Sequence, residues 1–328
     1  MMKLKYNWIL LIILFLNPLI LMSMNSMISM WINMELNLIL FLTFIIMNNF
    51  MIYDMSMKYF LMSSFSSSIF FFLIIMNYFM NIDLLIYFMN FLLLLKLGFP
   101  PFHFWYIDLM MNLNWISCLM LSTWQKFIPM IFMFFLMKKM FLYLIILLGG
   151  LISIFKAFNT IYLKMILSYS SINHLGWMLM SLILSFNMWL IYYLSYSILM
   201  LSILFIFNKM KLIYLNDFNK LNLFFKKKLN LMLMMSLGGL PPFFGFLMKW
   251  FFIYKMVFNL NYFYLMMMIF FSLMFLYYYL RMVFNYLFLF YYNLKFNFFF
   301  LIFKKEKLML MFYLISILNL FSLMIFLN

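Results

Sequence analysis

Three lysines and one glutamate stand where an oily chain should carry no charge: Lys96, Lys126, Lys249 and Glu35. Lys96 lies about twelve residues into an apolar run, roughly 18 Å along a helix, a depth from which its side chain does not fully snorkel to the headgroups. Lys126, in Trp124-Gln125-Lys126, sits about as deep in the next run. A lysine at the bilayer centre costs at least about 2.5–3.5 kcal/mol on an insertion scale, and two or three such sites take a large share of a protein's net stability. A buried polar axis accounts for them better than accident does. Position alone leaves Glu35 open between an interfacial carboxylate and a buried one, and Lys249 open between snorkelling outward and burial. Their chemistry suggests a link. A carboxylate near a buried amine favours the ammonium form, and withdrawing it favours release of the proton. A Glu–Lys pair whose separation changes is therefore a proton switch. His174, in Ser170-Ser171-Ile172-Asn173-His174, fits either a proton relay or a hydrogen-bonded packing residue. His103, beside Trp105, reads as interfacial.

The same inventory excludes other chemistries. Two histidines cannot supply the four axial ligands of two bis-histidine haems, and the single Cys118 cannot hold an iron–sulfur cluster, a copper centre or a disulfide framework. No phosphate loop, nucleotide fingerprint or nucleophile motif occurs. The glycine pairs Gly149-Gly150 and Gly238-Gly239 read as helix breaks or packing sites.

The elements that must position these residues are interrupted helices. Gly98-Phe99-Pro100-Pro101-Phe102 and Gly239-Leu240-Pro241-Pro242-Phe243 nearly repeat each other inside apolar runs, with Lys96 just before the first and Lys249 just after the second. Gly-x-Pro-Pro removes backbone donors and forbids a regular helix. Lipid tolerates such a break only where it is buried in protein or lines a polar cavity, as in the matching positions of inverted transporter halves. The bland alternative is a helix that simply restarts after a loop, and two matching sites weigh against it.

Composition fixes the class. Of 328 residues, 70% are hydrophobic and 9% charged, so no soluble fold is expected. Apolar runs predict an all-α polytopic membrane protein of about eleven helices, near residues 8–28, 30–50, 59–80, 84–105, 115–137, 139–160, 167–185, 187–208, 229–255, 259–285 and 308–327. The Pro-Pro breaks then fall in the fourth and ninth helices, which run in opposite directions. The stretch 286–303 reads as an interfacial segment or a further span, and Ser63–Ser68 as a close-packing face. The first apolar run continues past Asn17-Pro18, without an Ala-x-Ala-like exit, and is expected to be a retained helix. With eleven spans only Lys138, Lys139 and Lys255 fall on one side. The other, with the N-terminus, carries about five times as many basic residues and is expected to be the inside. The net charge of +16 is thus a topology signal, not a nucleic-acid footprint. Forty-one methionines and 49 phenylalanines against one alanine (Ala157), two valines (Val257, Val283) and one arginine (Arg281) suggest an AT-rich mitochondrial gene of an invertebrate.

These residues carry a resemblance. Trp31-Ile32-Asn33-Met34-Glu35-Leu36-Asn37, Lys96 through Trp105, Thr123-Trp124-Gln125-Lys126, Leu167 through Trp177, Ser236 through Phe246 with Lys249-Trp250, and Tyr279-Leu280-Arg281 follow one another in the order and spacing of the subunit 2 family of mitochondrial NADH dehydrogenase. That family comprises antiporter-like membrane subunits of respiratory complex I, and the chain resembles it over nearly its whole length. A lysine at position 249, where the related subunit 4 looks to carry a glutamate, favours subunit 2. The resemblance implies a single antiporter-like membrane domain of two inverted five-helix repeats, about 8–137 and about 139–285, plus a final helix near 308–327. It implies a hydrophilic axis of Glu35, Lys96, Lys126 and Lys249, with Glu35 modulating Lys96 and His174 near that axis. It further implies no cofactor on this chain, with NADH, FMN, iron–sulfur clusters and ubiquinone in other subunits. The implied partners are membrane and accessory subunits of the complex and membrane lipids, with no nucleic acid. The implied setting is the mitochondrial inner membrane, with the N-terminus in the matrix and the C-terminus in the intermembrane space. The loop 209–228 and the segment 286–307 match the family poorly. Two other functions fit the buried lysines: a stand-alone cation/proton antiporter, and a structural spacer in which the lysines pair internally.

Overall fold

The computed structural model describes residues 2–48, 53–80, 82–215, 217, 224–241, 243–258 and 262–292. Thirteen helices occur among them: α1 (Met2–Met22), α2 (Met27–Asn48), α3 (Tyr53–Met80), α4 (Asp83–Leu97), α5 (Phe104–Asn112), α6 (Trp115–Ser122), α7 (Trp124–Phe135), α8 (Lys139–Phe158), α9 (Leu163–Leu184), α10 (Phe186–Met210), α11 (Phe224–Gly238), α12 (Phe244–Phe258) and α13 (Tyr262–Tyr292). Among the described residues six segments are long and apolar enough to cross a membrane: Met27–Asn48, Tyr53–Met80, Trp115–Phe135, Lys139–Phe158, Phe186–Met210 and Tyr262–Arg281. The expected span at 308–327 lies outside the described residues. So does 293–303, while α13 runs unbroken to Tyr292.

The helix at the centre of the bundle is missing from those six. In α9 every residue from Ile166 to Ile183 is buried, and it packs against α5, α7, α8, α10, α12 and α13. A helix buried on all sides is normally apolar all round, yet this one carries Ser168, Ser170, Ser171, Asn173 and His174. Three of the hydroxyls are satisfied on the helix itself, donating to the carbonyls of Met165, Leu167 and Ser168. Polar side chains therefore run through the most deeply buried helix of the bundle.

Both diproline segments interrupt a helix, and they do so with one set of backbone hydrogen bonds. Gly98 has φ +66° and Gly239 φ +82°, the left-handed region that a side chain resists. Gly98 N donates to Leu95 O and Phe99 N to Leu94 O, both at 3.1 Å. Gly239 N donates to Ser236 O at 3.1 Å, and Leu240 N to Met235 O at 3.4 Å. Each is the two-bond Schellman closure of a helix. A turn then follows in each, Phe102 N to Phe99 O at 3.0 Å and Phe243 N to Leu240 O at 2.9 Å.

The proline inside α1 is accommodated by a partner. Pro18 inside α1 has no N–H for the Leu14 carbonyl four residues back, and the Trp124 indole fills that vacancy at 2.6 Å. The pair Gly149-Gly150 does not break α8. A Cβ at Gly149 would lie 2.3 Å from the Phe99 ring and one at Gly150 2.2 Å from the Phe271 ring, so the pair is a packing site for two aromatics. Of the serine cluster on α3, Ser63, Ser66 and Ser67 are buried, and Ser67 O accepts from the Trp31 indole at 2.9 Å.

Candidate functional site

The fifth expected span is not one rod. Thr123 adopts φ −115°, ψ −74° between α6 and α7, and its hydroxyl donates to Leu119 O at 2.7 Å. Lys126 thus sits in the first turn of a new helix, with its side chain 2% exposed. Its Nζ donates to Ser171 O on α9 at 3.4 Å and lies 4.9 Å from the centre of the Tyr106 ring. The Tyr106 hydroxyl in turn meets Ser171 Oγ at 2.7 Å. One serine and one tyrosine make the seat: a carbonyl for the ammonium and a π face beneath it.

Lys96 occupies the last turn of α4, one residue before the helix closes. Its Nζ approaches Met34 Sδ on α2 at 3.9 Å. The Leu95 carbonyl beside it is engaged by the Trp105 indole at 3.1 Å, leaving the lysine free of that task. Lys96 and Lys126 line one cavity of about 40 Å³, together with Asn37, Tyr59, Ser63, Tyr106 and Gln125. Space of that size accommodates about three waters.

Glu35 does not line this cavity. Two residues along an α-helix turn by about 200°, so it faces away from Asn33 and Asn37, which are buried on the inner stripe of α2. The carboxylate stands within electrostatic reach of Lys96 and Tyr59. It makes no direct ion pair with Lys96, and its Oε1 is shielded without a hydrogen-bond partner. Two ion pairs lie elsewhere, Lys58–Asp108 and Lys138–Asp83.

Beyond Lys126 the polar residues continue. The Tyr196 ring lies 6.0 Å from Lys126 Nζ and 5.1 Å from the His174 ring. His174 is buried, and its Nδ1 is 2.9 Å from the Tyr192 hydroxyl. It stands within electrostatic reach of both Lys126 and Lys249. Lys249 is 6% exposed, and its ammonium donates to Gly238 O at 2.9 Å, across the second break. Burial, not snorkelling, is its state. His103 is likewise buried, 3% exposed, with Nδ1 at 3.2 Å from Pro101 O. Among the described residues no group of three or more His, Cys, Asp or Glu side chains could hold a metal ion.

The structure thus joins Lys96 to Lys126 through a cavity and puts His174 within electrostatic reach of both Lys126 and Lys249. Tyr106, Ser171, Tyr196, Asn37 and Gln125 complete the surroundings. Sequence reasoning did not single these out for a role. The available signal was their polarity inside apolar runs, as at Asn33 and Asn37, one helical turn apart.

Residues 76–276 match the family model for the transmembrane region of NADH:quinone oxidoreductase and Mrp antiporters. The chain is 39% identical over 260 residues to NADH-ubiquinone oxidoreductase chain 2 of Anopheles gambiae, covering 76% of each chain. Its fold is similar to that of a chain in respiratory complex I from Thermus thermophilus, with a TM-score of 0.75 at 21% identity over 85% of this chain and 70% of that one. It is also similar to a chain of a membrane-bound sulfane sulfur reductase, an archaeal respiratory membrane complex, with a TM-score of 0.79 at 16% identity over 95% and 72%. The chain belongs to the NADH-ubiquinone oxidoreductase chain 2 family, the antiporter-like membrane subunits of complex I.

Proposed function

We propose that this chain is a core membrane subunit of a proton-pumping NADH:ubiquinone oxidoreductase and moves protons along Glu35, Lys96, Lys126, His174 and Lys249. The observation that carries the reading is the placing of two amines, the half-buried Lys96 and the buried Lys126, on one cavity with uncharged polar groups around them. A buried ammonium is held at a desolvation cost, so a change in neighbouring charge tips it toward giving up its proton. Glu35, near Lys96 but not paired with it, is the group whose movement would supply that change. His174 stands within electrostatic reach of both Lys126 and Lys249, and its bond to Tyr192 fixes the ring.

In this reading the chain binds no cofactor. Electrons pass through NADH, FMN, iron–sulfur clusters and ubiquinone in other subunits, and quinone reduction there drives the charge shift at Glu35. The two breaks belong to two inverted halves, about 8–137 and about 139–285, followed by a final helix near 308–327. The chain sits in the mitochondrial inner membrane with its N-terminus in the matrix and its C-terminus in the intermembrane space. Its partners are the neighbouring membrane subunits, accessory subunits and lipid.

The test is Lys96→Met and Glu35→Gln, each in the assembled complex in proteoliposomes. Lys96→Met is expected to lower proton-coupled quinone reduction by about tenfold or more, with normal complex on native gels. Glu35→Gln should give a smaller loss. Undiminished pumping in both would reject the pathway.

A further inference from the structure

Gln125 is a polar side chain that the lysine path, as described, does not use. It is 9% exposed. Its Oε1 accepts from Asn37 Nδ2 at 2.6 Å and from the Tyr59 hydroxyl at 3.4 Å. Its Nε2 and the Asn37 Oδ1 are shielded from solvent and have no hydrogen-bond partner in the protein. A buried amide group left in that state is destabilising, and here one donor and one acceptor share a single cavity wall. The lysines do not complete the set, because ammonium groups only donate and cannot serve Nε2. Pro129, also lining the cavity, lacks the N–H that a helix would offer to the Gln125 carbonyl.

Water balances this arrangement. One molecule accepts two hydrogen bonds and donates two. It can accept from Gln125 Nε2 and from the Lys96 ammonium, and donate to Asn37 Oδ1 and to a neutral Lys126 amine. We propose that Gln125 is a positioning residue for proton transfer between Lys96 and Lys126, orienting the connecting water together with Asn37 and Tyr59. The amide itself carries no proton. Lys96 loses one N–H to the water while the water gives one of its own protons to Lys126, so a single positive charge moves and the water is unchanged. The inference rests on the proposed lysine path.

The test uses Gln125→Met, which keeps the bulk and removes both polar ends, in the assembled complex in proteoliposomes. Proton-coupled turnover should fall by about tenfold, the scale of a misplaced reacting group, and the solvent deuterium isotope effect on turnover should rise. A residue that only packs would leave the isotope effect where it was. Wild-type turnover with an unchanged isotope effect would overturn the proposal. Lys96→Met, run alongside, separates the two ideas. If it too leaves turnover unchanged, the lysine path is what fails; if it stalls pumping while Gln125→Met does not, only the role of Gln125 falls. Should Gln125→Met not assemble, Asn37→Asp keeps the acceptor and removes the donor that pins Gln125. It should raise the isotope effect, and an unchanged value would overturn the proposal equally.

Discussion

The two helix breaks close with the same backbone hydrogen bonds and use their lysines differently. Each closes with the same pair of Schellman bonds around a left-handed glycine, and in each a further bond follows from the residue after the prolines to the one before them. In the first, a carbonyl in the last turn of α4 is engaged by an indole, Trp105 to Leu95 O, and Lys96 is left to face the cavity. In the second, Lys249 is itself the donor that covers Gly238 O. One backbone device therefore leaves one ammonium available for exchange and makes the other part of the helix end. A proton leaving Lys249 weakens a structural bond, whereas one leaving Lys96 does not.

That contrast makes the two lysines separable. Lys96→Met should stall coupled turnover without affecting assembly. Lys249→Met should lower turnover and also cost about 1–3 kcal/mol for the stranded carbonyl, seen as less assembled complex and earlier thermal dissociation. Lys249→Arg, which keeps a donor, should recover assembly more than turnover. Equal assembly in both methionine variants would remove the distinction.

The glycines sharpen it. Alanine in a left-handed conformation costs about 1–2 kcal/mol at either site, but the neighbours differ. A Cβ on Gly98 would stand 2.6 Å from Tyr106 Cβ, an atom fixed to its backbone, whereas one on Gly239 would meet the end of the Lys249 side chain at 3.0 Å. Gly98→Ala should therefore reduce assembly more than Gly239→Ala, and the second should disturb the Lys249 bond first. The reverse order of thermal stability would show that the breaks are held differently.

Trp105→Phe should cost about 1 kcal/mol, since Leu95 O keeps its bond from Gly98 N. It would also make the first break resemble the second by offering Lys96 a carbonyl, so a moderate fall in turnover is expected. The smallest effect should come from the pair outside the spans. The Asp83 carboxylate raises the Lys138 pKa through a hydrogen bond and its charge. That contribution is fully present below the ordinary lysine value and is lost as pH rises through the raised one. Lys138→Gln should leave turnover intact, and any difference in melting should vanish at strongly alkaline pH.

Much of this comparison was legible in the residues. Gly-x-Pro-Pro cannot continue a helix, so both breaks were placed by local chemistry, and the depth of Lys96 and Lys126 followed from counting along apolar runs. Other features were not. The kink at Thr123 has no glycine or proline in its step; it depends on a hydroxyl bond to Leu119 O and a contact from Tyr193 at 3.3 Å. Gly149-Gly150 read equally as a break or a packing site until Phe99 and Phe271 proved to lie on it. The amide pair Asn37–Gln125 joins residues 88 positions apart, a distance over which spacing carries no information.

By itself, then, the chain determined its solvent, its all-helical class, where two helices must stop, and which residues would be costly to bury. Those are properties of a residue and its near neighbours, set by transfer energies and backbone donors. Folding decided who meets whom: that Lys96 and Lys126 share a cavity, that Glu35 turns aside from it, and that Lys249 caps a helix end. Such pairings depend on how helices distant in sequence rotate and pack about α9, and no local preference encodes that.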